Sequence, residues 1–435
     1  MIAVETNLNK LFRVVDSLVD ERIGILRYVK EALSQAGAPA FFHFYSRACD
    51  TGAFSFQQNF AETGGASAHR SVAMAKAIGE AVERYCAAIY SKEEFALETY
   101  ESAPFRCVAP ENFALYNSGQ FEQPEFPYVP FSKTTSIRWT VTTDAHSGEI
   151  WHVPASMVYL PYYYDIEGGE PPVCQPISTG LACHCSGSEA AVSALCEVVE
   201  RDAFTITWQS KLQAPPIRLD SLSEQNRDLV RRFECTGSTV RILNITLDHG
   251  IPTILSILMH PLDEAPAFVF AASSHLNPEI AARKSLEELA HTRRLAVELK
   301  HEKYPPTLKQ HVHVKHYTDH ISRSAVEFLL VSQAWIDFQE LRDFSLGNPD
   351  QDLAMLSQKI SNVGCIPLIS NITTEDIRDL GLFVMRAVIP GFHPLFMGHH
   401  IRALGGWRLW NVPQKLGYTG IAKETGDNPS PHPFP

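Results

Sequence analysis

The chain has 435 residues, of which 45% are hydrophobic, so it is long enough to bury the core of one large domain or of two. Its formal net charge of −12 argues against a nucleic-acid partner, because proteins that bind nucleic acids present basic surfaces. No apolar run reaches the roughly 18 residues of a membrane-spanning helix, which excludes a membrane partner of that kind.

Hydrophobic periodicity divides the chain into predicted helices and strands. We predict helices over residues 6–36, 68–92, 187–210, 221–235, 277–300, 324–341 and 350–362. We predict strands over residues 137–143, 240–247, 252–259, 267–272 and 382–388. Because the two types alternate without a regular βαβ rhythm, the predicted fold class is α+β, or mixed α/β. Residues 1–62 are expected to form an N-terminal helical lead segment on a main domain of residues 63–435, whose proline-rich C-terminal tail covers 428–435.

Two of the predicted helices carry nearly the same sequence. Residues i, i+3 and i+4 share a helix face, so each copy groups two glutamates with one arginine: Glu80, Glu83 and Arg84, then Glu197, Glu200 and Arg201. Both helices are apolar nearly all round, which is typical of buried helices. One arginine cannot neutralise two buried carboxylates, so the pattern favours a bound cation, and Mg²⁺ on nucleotide phosphates suits oxygen ligands. The alternative is a set of solvated ion pairs worth about 0.2–0.5 kcal/mol each.

Runs of small residues precede both helices, at 63–67 and 178–188, and are interpreted as loops. A loop that ends at a helix N-terminus exposes backbone N–H groups and suits phosphate. Ser186 and Glu189 also match a helix capping box, so a purely structural role is the alternative for them. A weaker echo of the repeat at 284–294 resembles an amphipathic surface helix when it is taken alone. Together with the other two helices it could complete one site.

The C-terminal segment 428–435 has proline at every second position from Pro429 to Pro435. Such a sequence holds the backbone extended and stiff, and this segment carries no charged side chain. A rigid tail can therefore aim its terminal carboxylate at a site. The alternatives are a frayed terminus or a motif that docks into the aromatic groove of a partner.

The cysteines, nine in number, are scattered, which is typical of reduced thiols rather than of a disulfide framework. Cys183 and Cys185 flank His184, but a zinc site requires a second ligand pair at similar spacing, and the chain has none. The N-terminal residues lack the basic and apolar regions of a secretory signal. We therefore predict structural cysteines and a cytoplasmic protein.

The chain resembles the YcaO family, specifically its ATP-dependent cyclodehydratases. The residues that carry the resemblance are Gly79–Arg84, Ser178–Leu181, Glu189 with Ala190, Glu197–Ala203, Lys284–Arg293, Pro390 with Gly391, Gly405 with Gly406, and the terminal proline repeat. The resemblance runs from about residue 63 to the last residue. It implies a YcaO-type ATP-binding fold in which glutamate-bearing helices build the nucleotide site.

The resemblance also implies roles for individual residues. Mg²⁺ would be held by Glu80, Glu83, Glu197 and Glu200. ATP would be bound by Ser186, Glu189, Arg201, Lys284, Glu288, His291 and Arg293. The carboxylate of Pro435 would be the catalytic base. Three positions depart from the family pattern, because Lys76 replaces a serine, His291 a glutamine and Lys284 an arginine.

The reaction that the resemblance implies is cyclodehydration of Cys, Ser or Thr in a ribosomally made precursor peptide, which forms thiazoline or oxazoline rings. The implied partners are that peptide and a separate ThiF-like protein that binds its leader, since no fused domain of this kind is visible in this length. A flavin-dependent azoline dehydrogenase and a homodimer are compatible with it. The alternatives are a thioamide-forming member of the family and a non-catalytic peptide-binding or assembly subunit. The proline tail favours ring formation, and the four retained glutamates favour catalysis.

Overall fold

The computed structural model describes residues 2–303, 309–422 and 426–434. The helices are α1 (Ile2–Leu18), α2 (Arg70–Ala87), α3 (Ser118–Phe121), α4 (Gly187–Gln209), α5 (Glu224–Glu234), α6 (Pro278–His301), α7 (Lys309–His316), α8 (Arg323–Leu330), α9 (Pro349–Asn362), α10 (Glu375–Asp379) and α11 (Trp407–Lys415). The strands are β1 (Leu26–Glu31), β2 (Phe42–Ala48), β3 (Glu62–Ser67), β4 (Ala96–Glu98), β5 (Ile137–Asp144), β6 (Ile150–Pro154), β7 (Leu181–His184), β8 (Thr239–Asn244), β9 (Thr253–Met259), β10 (Phe268–Ser274), β11 (Leu368–Asn371) and β12 (Phe383–Val388).

The strands form three sheets, and each sheet carries one helix of the predicted site. Strands β1, β2 and β3 form an antiparallel sheet against which α2 packs. Strands β8, β9 and β10 form a second antiparallel sheet covered by α6. The third sheet has the order β4-β5-β11-β12-β7, with β6 beside β5, and α4 packs on β12 and β7. Because α2 also contacts β7 and α6 also contacts β3, the three helices converge.

Helix α4 is the central element of the fold because it is buried along most of its length. Its first half packs in one hydrophobic cluster through Leu195 and Val199, and its second half packs in another through Phe204 and Trp208. Burying each of these side chains contributes about 1.5–3 kcal/mol. The buried carboxylate of Asp202 pairs with Arg408 of α11 at 2.8 Å, which fixes the helix immediately after the predicted site.

Most predicted helices and strands are confirmed within a few residues, but two helices are shorter than predicted. The helix expected over 6–36 ends at Leu18, so the predicted N-terminal lead of residues 1–62 is helical only to that point. The chain then reverses at Gly24, where a Cβ would lie 2.2 Å from Asp20 N, and β1 pairs with β2. The helix expected over 324–341 ends at Leu330, because Ile336 N donates to Pro216 O and leaves the helical path.

The two runs of small residues are also different from the prediction, since each contributes a strand. The run at 63–67 lies in β3, and the run at 178–188 contains β7. Gly180 adopts a φ of +87° before β7, and a Cβ there would lie 2.5 Å from Ala387 O, so the turn requires glycine. In the described part of the chain, no helix is long and apolar enough to cross a bilayer.

Candidate nucleotide and magnesium site

The first glutamate pair lies on the face of α2 that meets β3 and β7. Glu80 accepts hydrogen bonds from Arg84 Nη2 at 3.2 Å and from Gly64 N at 3.3 Å. Glu83 accepts one from Cys183 N at 2.8 Å. Burial raises the pKa of Glu83 well above its usual range, against the effect of Arg84, and the carboxylates of Glu80 and Glu197 raise it further. A cation beside these carboxylates would therefore be strongly favoured.

The second pair lies on α4, where Arg201 forms ion pairs with Glu200 and, at 3.7 Å, with Glu197. Glu200 is only 8% exposed. Burial raises its pKa to about 7, and the charges of Glu197 and Glu288 add to that effect against Arg201. Because Glu288 is on α6 and Glu197 also raises the pKa of Glu83 on α2, the acidic groups of all three helices influence one another.

A buried arginine that the sequence analysis did not single out lies beside this acidic cluster. Arg386 of β12 is 4% exposed, and its charge and that of Arg84 both act on Glu197. Arg84 and Arg386 each keep one buried guanidinium nitrogen, Nη1, without a hydrogen-bond partner among the described residues. The one signal for Arg386 was a lone charge inside an otherwise apolar predicted strand.

These groups suit a magnesium–nucleotide complex. Carboxylate oxygens are the ligands that Mg²⁺ prefers, and the unpartnered Nη1 of Arg84 is a donor for phosphate oxygens. Within the described residues, no three His, Cys, Asp or Glu side chains converge closely enough to hold a metal ion by themselves. Mg²⁺ commonly binds through one or two carboxylates and completes its shell with substrate phosphates and water. The donor set therefore fits Mg²⁺ delivered with a nucleotide.

Ser186 and Glu189 act as a helix cap. Ser186 is the N-cap of α4, with its Oγ accepting from Glu189 N at 3.3 Å and donating to Glu189 Oε2 at 3.0 Å. Glu189 Oε1 also accepts from Asn7 Nδ2 of α1 at 2.6 Å. The structural role that was the alternative for these two residues is present, and their side chains lie at the N-terminus of the helix that bears Glu197.

The third helix, α6, places its predicted site residues in different surroundings. Glu288 is exposed, whereas its neighbour Glu287 is buried. His291 packs against Gly64, where a Cβ would come within 2.6 Å of the ring. The hydrogen bond that is observed for Arg293 goes to Gly37 O at 3.4 Å, and no ion pair joins Arg293 to the paired glutamates in the described residues.

The proline-rich tail reaches this cluster through Phe434, which contacts two residues of α4. The Phe434 ring stacks on Phe204 with centroids 3.6 Å apart, and the Arg201 guanidinium lies 5.2 Å from the Phe434 centroid. His432 Nε2 donates to Phe396 O of the neighbouring loop at 2.6 Å. Trp208 Nε1 donates to Ser430 O at 3.1 Å. Pro435, predicted to supply the catalytic carboxylate, lies outside the described residues.

A family model described as "YcaO cyclodehydratase, ATP-ad Mg2+-binding" matches residues 64–393. The chain belongs to the YcaO family. ATP and Mg²⁺ are accordingly its cofactors, and the resemblance seen in the repeated glutamate helices is confirmed. The family is one of ATP-dependent enzymes.

Known proteins resemble this YcaO chain over most of its length. An uncharacterized protein of Methanothermobacter thermautotrophicus is 25% identical over 398 residues, which cover 88% of this chain and 94% of that one. A heterocyclase in complex with substrate and cofactor has a TM-score of 0.82 at 20% identity, over 98% of this chain and 57% of that chain. YcaO from Methanopyrus kandleri, bound with AMPPCP and Mg²⁺, has a TM-score of 0.66 at 17% identity, over 91% of this chain and 93% of that chain. These similarities confirm the mixed α/β fold class. The chain spans little more than half of the heterocyclase's length.

The structure gives a reason for one departure of this YcaO protein from the family pattern. Lys76 Nζ donates to Glu287 Oε2 at 2.7 Å and to Ala66 O at 3.0 Å. Ser67 Oγ donates to the other carboxylate oxygen of Glu287 at 2.6 Å. Although burial acts in the opposite direction, the Lys76 ammonium holds the pKa of Glu287 below its usual value. This partly buried ion pair, together with the Ser67 hydrogen bond, joins α2, β3 and α6.

We predict that Lys76→Ser lowers the free energy of unfolding by about 3 kcal/mol, because it removes the ammonium that is hydrogen-bonded to the buried Glu287 carboxylate. The double variant with Glu287→Gln should recover most of this loss, since a neutral amide needs no ammonium. Urea unfolding of the wild type, both single variants and the double variant measures the coupling. A double variant as unstable as Lys76→Ser would contradict the assignment.

Proposed function

We propose that this protein is a cyclodehydratase that uses ATP to convert Cys, Ser or Thr residues of a ribosomally made precursor peptide into thiazoline or oxazoline rings. The observation that carries the proposal is the position of Phe434, which brings the proline-rich tail onto Arg201 in the acidic cluster. The retention of both glutamate pairs on buried helices supports a catalytic protein rather than a non-catalytic peptide-binding or assembly subunit.

In the proposed reaction, the side-chain sulfur or oxygen of the peptide attacks the carbonyl carbon of the preceding amide and gives up its proton. The resulting oxyanion takes the γ-phosphoryl group of ATP, and ADP leaves. The amide nitrogen then loses its proton as the C=N bond forms, and the former carbonyl oxygen departs as part of phosphate. The peptide has lost the elements of one water for each ring.

The residues of this chain serve mainly to position groups and balance charge, which is what phosphoryl transfer asks of a protein. The proposal assigns Mg²⁺, which offsets phosphate charge when bound, to the paired glutamates. It assigns the nucleotide to Arg201 and to the flanking residues Ser186, Glu189, Lys284, Glu288, His291 and Arg293. Lys284 is suited to a phosphate, because burial and then the charges of Lys76 and Arg283 lower the pKa of its ammonium, and a bound anion would offset these effects. The Pro435 carboxylate is assigned the role of base.

The proposed partners are the precursor peptide and a separate ThiF-like protein that binds its leader. An azoline dehydrogenase that uses flavin would act on the product. A homodimer and a cytoplasmic location belong to the same proposal.

The test measures phosphate release from Mg²⁺–ATP by the purified chain, with and without a candidate partner and a Cys-rich peptide, together with the mass of the peptide. Peptide-dependent phosphate release with loss of one water per ring is the expected result. Exchange of an amide oxygen for sulfur when a sulfide source is supplied would instead establish the thioamide alternative. Binding of ATP and peptide without any change of mass would establish the binding-subunit alternative.

A further inference from the structure

A cavity of about 120 Å³ lies against α4, on the side of the helix next to β12. Its walls come from three loops, at 113–116, 174–179 and 389–396, and from the end of β12. The side chains that line it are mainly apolar and include Phe113, Leu115, Ile177, Val388, Phe392 and Phe396. An apolar cavity on the order of 150 Å³ is large enough to bind benzene, so this one suits a single aliphatic or aromatic side chain.

The cavity adjoins the nucleotide and magnesium site. Val198, which lines the cavity, follows directly after Glu197 on α4. Thr179, which also lines the cavity, precedes the Gly180 turn that packs against Val198. Arg386 lines the cavity as well and acts electrostatically on Glu197. Because neighbouring residues of a helix point to different faces, Arg386 is the group that connects the cavity with the carboxylate cluster.

Arg386 offers an unused donor at this junction. Its Nε donates to Met157 O and its Nη2 to Ile177 O, both at 2.9 Å, which fixes the plane of the guanidinium. Its Nη1 has no hydrogen-bond partner among the described residues, although the residue is 4% exposed. Buried donors are nearly always partnered in folded proteins. An acceptor supplied by a ligand, such as a peptide carbonyl, would complete the set.

We propose that this cavity binds an apolar side chain of the precursor peptide beside the reacting residue, while Arg386 Nη1 donates to a backbone carbonyl of the same peptide. The proposal rests on the proposed function and deepens it, because it names the substrate class. Peptides with leucine, isoleucine or phenylalanine next to the cyclised residue are the preferred substrates. Glycine in that place leaves the cavity unfilled.

The experiment measures equilibrium binding of fluorescent peptides that differ only in the residue before cysteine, which is glycine, alanine, leucine or phenylalanine. The full chain is used with Mg²⁺ and AMPPCP, so that binding is read without turnover. We expect the leucine and phenylalanine peptides to bind about 30-fold more tightly than the glycine peptide, as burial of one such side chain implies. Equal affinity for all four peptides would overturn the proposal.

Two substitutions to tryptophan provide a matched pair. Ile177 is half-buried and lines the cavity, so Ile177→Trp should fill it and reduce the preference for leucine over glycine to less than about 3-fold. Ile166 is 68% exposed and does not line the cavity, so Ile166→Trp should leave the preference unchanged. A preference that survives in Ile177→Trp would overturn the assignment of the cavity.

Arg386→Lys keeps a positive charge and removes the planar guanidinium. We expect it to weaken all four peptides about 10-fold and to leave their order unchanged, because the carbonyl contact is independent of the side chain in the cavity. An unchanged affinity would overturn the role of Nη1. A preference for leucine without any ring formation would support this subsite and refute the cyclodehydratase function. Ring formation without that preference would support the cyclodehydratase function and refute the subsite.

Discussion

Replacing Glu83 or Glu200 with glutamine should abolish Mg²⁺-dependent phosphate release while leaving the free protein folded. Both carboxyl groups have raised pKa values because burial and neighbouring carboxylates disfavour their charged forms. A neutral amide of the same shape relieves that repulsion, so the ligand-free stability should change by less than about 1 kcal/mol or rise. Binding of Mg²⁺ needs the charge, and we expect the turnover number to fall at least about 100-fold.

Two measurements separate metal binding from stability. Mg²⁺–ATP at about 100 times its dissociation constant should stabilise the wild type by about 2.7 kcal/mol, and this increment should disappear in either variant. Glu62→Gln is the matched control, because Glu62 is an exposed strand residue whose ion pair with Arg47 spans 3.4 Å at the surface. A variant that keeps the Mg²⁺–ATP increment would show that its glutamate is not a ligand.

The glutamate pairs were predictable from sequence because a helix places i, i+3 and i+4 on one face regardless of the rest of the fold. The helices themselves were predictable for the same reason, since α2 and α4 are apolar over many turns. Strand β3 was not, because Gly64 and Gly65 have no side chain to show the alternation of a strand. It is stabilised by pairing with β2, and pairing between two separate segments leaves no signal in the local sequence of either one.

Contacts between distant segments also explain which site residues were missed. Glu287 and Glu288 are adjacent, and only the packing of α6 on β3 decides that Glu287 is the buried one that binds Lys76. Arg386 becomes part of the site because β12 pairs with β7 and both strands pack against α4. Arg408, more than 200 residues from Asp202, completes that buried pair through α11. None of these pairings leaves a periodic signal in one sequence.

Changing Phe434 and Pro435 separately should distinguish the structural role of the tail from its proposed catalytic role. Phe434 is 2% exposed, stacks on Phe204 and lies under Arg201. Phe434→Ala should therefore lower the free energy of unfolding by about 3 kcal/mol, from lost burial, stacking and the cation–π contact. Phe434→Leu, the matched control, keeps most of the apolar volume and should cost less than about 1.5 kcal/mol.

Deletion of Pro435 alone should have the opposite effect, with stability retained and ring formation lost. The aromatic contacts of Phe434 remain, so the free energy of unfolding should change by less than about 1 kcal/mol. The terminal carboxylate, however, moves back by one residue, about 3.3 Å along an extended chain, which takes a general base out of hydrogen-bond reach of its proton. Ring formation, followed by peptide mass, should fall about 100-fold or more, while binding of Mg²⁺–ATP, followed by thermal shift, stays unchanged. Undiminished ring formation by this variant would remove the carboxylate from the mechanism and leave the tail as a structural support for Arg201.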